Sequence, residues 1–220
     1  MRRFLGDHFE FLRQFRSQFE STGAIAPSSR FLARAMTRPF SRRERPVRIL
    51  EIGPGTGAVT GTLVKLMRDG DHLDLVELND KFVDLLRTRF QRDPAYQRVA
   101  GQSQLHHCLL QDFRVEQPYD YIISGLPLNN FPAALVREIF AAYFKMLAPG
   151  GVLSYFEYMY VRPMRRAVAG GAERQRLCEL DEIITPYMRD FRIKRDWVFV
   201  NLPPAWVQHL RYDGVPQLQE

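Results

Sequence analysis

"ILEIGPGTGAVT", residues 49–60, decides the fold. The apolar run that ends at Ile52 reads as a buried strand. Glycines at 53, 55 and 57 follow, and residues 58–68 then take helical spacing. Gly53 and Gly55 let the backbone turn tightly and come close to a ligand. In an open α/β sheet that ligand lies across the carboxyl edge. Dinucleotide sites use a similar glycine turn. Here, however, the spacing is E-x-G-x-G-x-G, and Glu51 would repel a pyrophosphate while holding a cationic amino acid moiety.

Outward from this turn, strands and helices alternate. The spacing predicts strands over 72–79, 105–113, 119–125 and 151–161, with helices over 80–91, 132–148 and 172–188. Residues 191–212 read as two closing strands around a Pro-Pro bend. Strands separated by helices of 10–15 residues argue for a parallel, doubly wound sheet. Glu77 ends the second strand, where a carboxylate accepts both hydroxyls of a ribose. Asp112 ends the third and is placed to bond an adenine amine. Asn79 and Ser124 join Glu51, Gly53, Gly55, Gly57, Glu77 and Asp112 as expected cofactor contacts. The set fits S-adenosylmethionine (SAM).

The chain resembles the class I SAM-dependent methyltransferases from residue 47 to about 212. That resemblance implies a Rossmann-like sheet of seven strands in the order 3-2-1-4-5-7-6 with strand 7 antiparallel. It also implies S-adenosylhomocysteine as product. The expected division is 1–45, an N-terminal helical extension, and 46–220, the SAM-dependent methyltransferase domain.

Net charge is +6, and residues 1–45 hold all of it: ten arginines against four acids, while residues 46–220 balance at 21 against 21. An anionic partner follows, either nucleic acid or an acidic membrane. Wound as a helix, residues 1–20 put Phe4, Phe11, Phe15 and Phe19 on one arc, with Arg2, Arg13 and Arg16 along its edge. Such a helix either packs on the domain or lies in a lipid interface. A second helix follows Ser28 and Ser29, with Phe31, Leu32, Ala35 and Met36 as its apolar face and Arg30, Arg34 and Arg38 as a basic stripe. Residues 41–45 read as a charged linker. No apolar run reaches the ~20 residues that span a bilayer. Two cysteines form no metal-ligand spacing, so no metal is expected. A reduced, intracellular protein is the default.

The acceptor is read from "SGLPLNNFP", residues 124–132. Adenine-amine methyltransferases resemble one another at this position, with Asn or Asp, any residue, Pro, then an aromatic. Here Gly125 and Leu128 replace the amide and the stacking ring. Together with "TGAIAPSSR" and "VNLPPA", the stretch looks like the bacterial phospholipid N-methyltransferases. These make phosphatidylcholine from phosphatidylethanolamine and are related in fold to the adenine dimethylases. Tyr158 keeps the family tyrosine, while Glu157 and Met159 depart from the family serine and glycine.

This resemblance implies a phospholipid substrate, an anionic membrane surface as partner, no nucleic acid, and a place at the inner face of the cell membrane. Tyr158, Asn130 and Glu157 are the expected catalytic residues. Ser28, Ser29, Arg30, Pro127, Leu128, Tyr160, Asn201 and Arg211 are the expected substrate contacts, with Arg162, Arg165 and Arg166 in a lid-like segment. The rival readings are an RNA adenine N6-methyltransferase and a non-catalytic lipid-binding protein on the same fold.

Overall fold

The computed structural model describes residues 30–159, 170–201 and 203–214. Ser28, Ser29, Tyr160, the 162–166 arginines and the Phe/Arg helix expected over 1–20 lie outside them. The elements are α1 (Arg30–Met36), α2 (Arg38–Ser41), β1 (Arg48–Ile52), α3 (Thr60–Leu66), β2 (His72–Glu77), α4 (Asp80–Arg92), α5 (Pro94–Gln97), β3 (Ser103–His107), β4 (Tyr119–Ser124), α6 (Ala133–Met146), β5 (Leu147–Tyr158), α7 (Gly171–Phe191), β6 (Arg192–Val198) and β7 (Ala205–Arg211). The seven strands order as β3-β2-β1-β4-β5-β7-β6. β1, β2, β3, β4 and β5 pair in parallel, and β7 runs antiparallel to both β5 and β6.

Because β1 and β4 are central and buried on both faces, they carry continuous apolar runs rather than an alternation. Successive residues feed opposite cores. Leu50, Ile52 and Ile122 pack with α6 and α7 around Phe140, Tyr143 and Tyr187. Ile49 and Ile123 pack with α1 and α3 around Leu32, Met36, Phe40 and Leu63. β3 is an edge strand, half-exposed along its length. It stops at His107, where β2, its one neighbour among the described residues, stops at the paired Glu77.

Three expectations about the first fifth of the chain change. Residues 30–41 share a core with β1, so position 45 does not separate two cores. Arg43 is no linker residue. Its guanidinium is buried in an ion pair with the buried Asp71 and donates to the carbonyls of Phe40 and Leu66. Phe31 is exposed rather than part of the buried helix face, with the Arg30 guanidinium 4.9 Å from its ring centre.

Asp74 ties the sheet together below the site. Its buried carboxylate accepts from Tyr119 at 2.8 Å and lies 2.7 Å from His106 and 3.0 Å from His72. Ser154, His209 and Asp196 form a second buried line, at 2.8 and 3.2 Å. All three are buried and none lines either space at the carboxyl edge described below, so the line reads as scaffold rather than a nucleophilic triad.

Candidate active site

A cavity of about 230 Å³ opens at the carboxyl edge of the sheet. Its walls are the ends of β1 (Glu51, Ile52), β2 (Val76, Glu77) and β5 (Phe156, Tyr158), plus the turns that follow β1, β2, β3 and β4. Gly53, Gly55 and Gly57 all take positive φ, at 66°, 56° and 76°. At Gly53 a side chain would also meet Leu126, whose Cδ2 lies 2.8 Å from the position of a Cβ. Tyr96 and Arg89 brace the turn from outside, each donating to the Gly57 carbonyl, at 3.2 and 3.3 Å.

Glu51 is only 2 % exposed, and its Oε2 has no hydrogen-bond partner among the described residues. Burial pushes its carboxyl up to about 8, while Thr60 pulls it partway back. A buried, incompletely satisfied carboxylate at a cavity wall is costly unless a cation or donor meets it. The α-ammonium of a methionine moiety meets that need, so the residues present fit SAM.

Glu77 is also buried, and burial pushes its carboxyl up against three backbone donors that pull it down. Its Oε1 accepts from the N–H groups of Leu78 and Asn79, both at 2.8 Å, and Oε2 accepts from Gly55 at 2.9 Å. A carboxylate has about four acceptor sites. Three are therefore engaged, and a ribose diol would share the remainder. Asn79 lines the cavity and also caps α4, its side-chain oxygen accepting from Lys81 at 2.9 Å.

Several expected residues stand elsewhere. Asp112 does not line the cavity; it is exposed in a turn in which its N–H donates to the Leu109 carbonyl at 3.1 Å. Since β3 ends five residues earlier, Cys108, Leu109, Leu110 and Gln111 form the wall there instead. Ser124 turns away from the cavity, its hydroxyl 2.5 Å from that of Tyr143 on α6. Arg211 pairs with Val152 at the amino edge, opposite the cavity, because antiparallel β7 carries the chain away from it. Asn201 is buried in the β6–β7 loop, where its amide donates to the Pro203 carbonyl at 2.8 Å. Leu128 is core. Arg30 is exposed at the start of α1.

The turn after β4 lines a further stretch of the cavity. Leu126, Pro127 and Phe131 face the cavity, and Gly125 sits against the first glycine turn. A Cβ on Gly125 would lie 2.4 Å from the Gly53 carbonyl oxygen, so no amide-bearing residue fits there. Neither Asn129 nor Asn130 lines this cavity. The Asn130 N–H donates to the Pro127 carbonyl at 2.9 Å. Asn129 lines a second, adjoining groove with Glu157, Arg174, Asp181, Arg189, Arg192, Arg195, Trp206 and Gln208.

Tyr158 borders both spaces. Burial pushes its phenol up, so it stays protonated as a donor. Glu157 accepts from Gln208 at 3.3 Å. Arg176 on α7 donates to the carbonyls of Phe131 at 2.7 Å and Asn129 at 3.1 Å, and pairs with Glu173. Sequence reasoning missed the Arg176 clamp, the Tyr96 brace and Phe156, because none lies in a motif. The position of Phe156 two residues before Tyr158 on one strand was the available signal.

Sheet order, glycine turn and the two buried glutamates define a class I SAM-dependent methyltransferase, and the chain belongs to that family. Residues 49–151 match the methyltransferase domain family. Two curated relatives sharpen the kinship. The chain is 31% identical over 163 residues to the ornithine lipid N-methyltransferase of Singulisphaera acidiphila, covering 73% of this chain and 84% of that one. It is 33% identical over 89 residues to the ribosomal RNA small subunit methyltransferase A of Hydrogenovibrio crunogenus, covering 37% and 30%.

Among solved structures, the glycopeptide N-methyltransferase MtfA with sinefungin aligns at TM-score 0.64 and 17% identity, over 89% of this chain and 91% of that one. The N-methyltransferase NodS of Bradyrhizobium japonicum with S-adenosyl-l-homocysteine aligns at 0.57 and 18%, over 84% and 88%.

Proposed function

We propose that this chain transfers methyl groups from SAM to the headgroup amine of a membrane lipid, namely phosphatidylethanolamine and its mono- and dimethyl derivatives. The observation that carries this reading is the apolar wall of Leu126, Pro127 and Phe131 beside a Gly125 that has no room for an amide. A flat base finds neither of its specific contacts there, while a small amine on an apolar molecule needs neither. The lipid N-methyltransferase named above supports the same acceptor class. Its name also favours a second reading, in which the amine belongs to an ornithine lipid.

SAM supplies an electrophilic methyl on its sulfonium. The chain's residues do the rest. Glu51 holds the methionine ammonium, Gly53 and Gly55 admit it, and Glu77 with Asn79 receives the ribose. An alkylammonium titrates near 10, so the site must desolvate it and remove a proton. Tyr158 orients the amine from its place between the two spaces, and Glu157 takes the proton. The adjoining groove suits a zwitterionic headgroup, with Glu157 and Asp181 facing the amine and Arg174 and Arg195 the anion. The phenylalanine- and arginine-rich helix read in residues 1–20 adds membrane affinity.

Purified protein should move labelled methyl from SAM into phosphatidylethanolamine vesicles. Label in ornithine lipid alone selects the second reading, and label in RNA but in no lipid overturns both.

A further inference from the structure

Among the described residues seven large hydrophobics are clearly exposed, and four of them, Ile193, Trp197, Phe199 and Val200, belong to the β6–β7 hairpin. Val200 is 70 % exposed, Phe199 65 % and Trp197 52 %. The Trp197 and Phe199 rings stack with centroids 5.7 Å apart and planes 24° apart, and Trp197 meets Trp206 edge to face. A large aromatic patch in water marks an interaction surface.

Its position ties it to the active site. Tyr158, Ala205 and Val198 are paired in one row across β5, β7 and β6. Phe199 and Val200 therefore project beyond the carboxyl edge, about 10 Å from the Tyr158 backbone by strand spacing. The loop is also prepared to leave water. Pro203 and Pro204 have no N–H to desolvate. Their carbonyls already accept from Asn201 and from the Met159 N–H, both at 2.8 Å. An unsatisfied backbone group would be expensive in a lipid interface.

Charge favours lipid over a protein partner. Residues 30–38 and 192–204 hold six basic side chains and one acid. That acid, Asp196, is buried against Arg38, Lys194 and His209. Arg30 and Arg34 are exposed on α1, which packs against β6 and β7. Aromatics with flanking basic residues are the pattern of an interfacial anchor on anionic lipid.

We infer that the tip of this hairpin, Trp197, Phe199 and Val200, inserts into the headgroup–acyl boundary of an anionic bilayer, with the α1 arginines on lipid phosphates, so that the active-site mouth opens onto the membrane. Its purpose rests on the lipid-acceptor reading; its geometry does not.

The chain has two tryptophans, so full-length Trp206→Phe reports on Trp197 alone. With vesicles of phosphatidylcholine and phosphatidylglycerol its emission should shift to the blue and be quenched by brominated acyl chains. In the otherwise native chain, the double change Phe199→Ser, Val200→Ser should weaken vesicle binding at least about tenfold, with SAM binding and methyl transfer to detergent-dispersed acceptor retained. Unquenched Trp197 emission, or undiminished vesicle binding by the double variant, overturns the inference. So does Trp197 emission already shielded from acrylamide without vesicles, which would place residues 1–29 or a second copy over the patch. Vesicle insertion without any methyl transfer to lipid would sink the proposed function and leave the docking surface standing.

Discussion

Glu77 Oε2 accepts the backbone N–H of Gly55 at 2.9 Å, so the carboxylate that ends β2 is fastened to the middle glycine of the turn after β1. One side chain thus shapes the glycine turn and, in the proposed reading, receives the cofactor's ribose. Glu77→Ala should cost SAM affinity by the loss of charge-assisted bonds of roughly 1.5–3 kcal/mol each. It should also lower the melting temperature of the cofactor-free protein, because three backbone donors lose their acceptor. Calorimetric titration and thermal melts check both; unchanged SAM affinity refutes the ribose role.

Glu51 gives a pH signature. Burial pushes its folded carboxyl up to about 8, from the 4.5 of an exposed glutamate. Stability from its protonated form is full below 4.5 and is lost as pH rises toward 8, at up to about 1.4 kcal/mol per pH unit. Cofactor binding reverses the preference, since the ammonium favours the ionised carboxylate. SAM affinity should therefore peak near pH 8. It falls on the acid side as Glu51 takes a proton, and on the alkaline side as the α-amine, near 7.7–8.0, loses one. Glu51→Gln should abolish the acid limb and flatten the stability slope, read from titrations and melts at pH 5 to 9.

Gly125→Asn would restore the adenine-type amide in sequence. In three dimensions it drives a side chain into the Gly53 carbonyl, 2.4 Å from the Cβ position. The expected outcome is loss of SAM binding and a melting temperature several degrees lower, with no methylation of adenine in RNA. RNA methylation by this variant would revive the nucleic-acid reading.

Tyr158→Phe keeps the ring and removes the donor. SAM affinity should hold while kcat on the lipid falls about tenfold, the worth of one oriented hydrogen bond. Because burial pushes the phenol up, the native enzyme should show no activity limb from Tyr158 below pH 10. Steady-state kinetics across pH tests this.

Arg43→Ala leaves Asp71 buried without its counter-charge, held among the described residues only by the backbone N–H groups of Val47 and Arg68. Such losses cost about 3–5 kcal/mol, so denaturant melts should show a large drop without loss of the cofactor pocket's chemistry. A change under 1 kcal/mol would mean that water reaches Asp71.

The sheet and its order were legible because the glycine turn, the helix spacing and the family resemblance agree on one topology. Glu51 and Glu77 were legible as carboxylates at the cavity wall for the same reason: each lies at or next to the end of a strand that the apolar run marks. Asp112 misled because an edge strand half-exposed along its length carries little apolar signal, and its end is set by where β2 stops pairing. Ser124 sits at the expected strand end, yet only the packing of α6 reveals that its hydroxyl belongs to Tyr143. Arg211 looked suited to an anion until the reversal of β7 put it at the far edge. Arg43 sat in a run of charges, and nothing local distinguishes the one guanidinium that finds a buried partner 28 residues away.

The Arg176 clamp has one more consequence. Its guanidinium holds the Asn129 and Phe131 carbonyls, 47 and 45 residues away along the chain. The first turns of α7 and the turn after β4 are thereby one mechanical part, and whatever displaces one drags the other. This side of the cavity is not held by its own loop alone: part of its rigidity is on loan from a helix encoded far downstream, so a change in either segment is felt in the other.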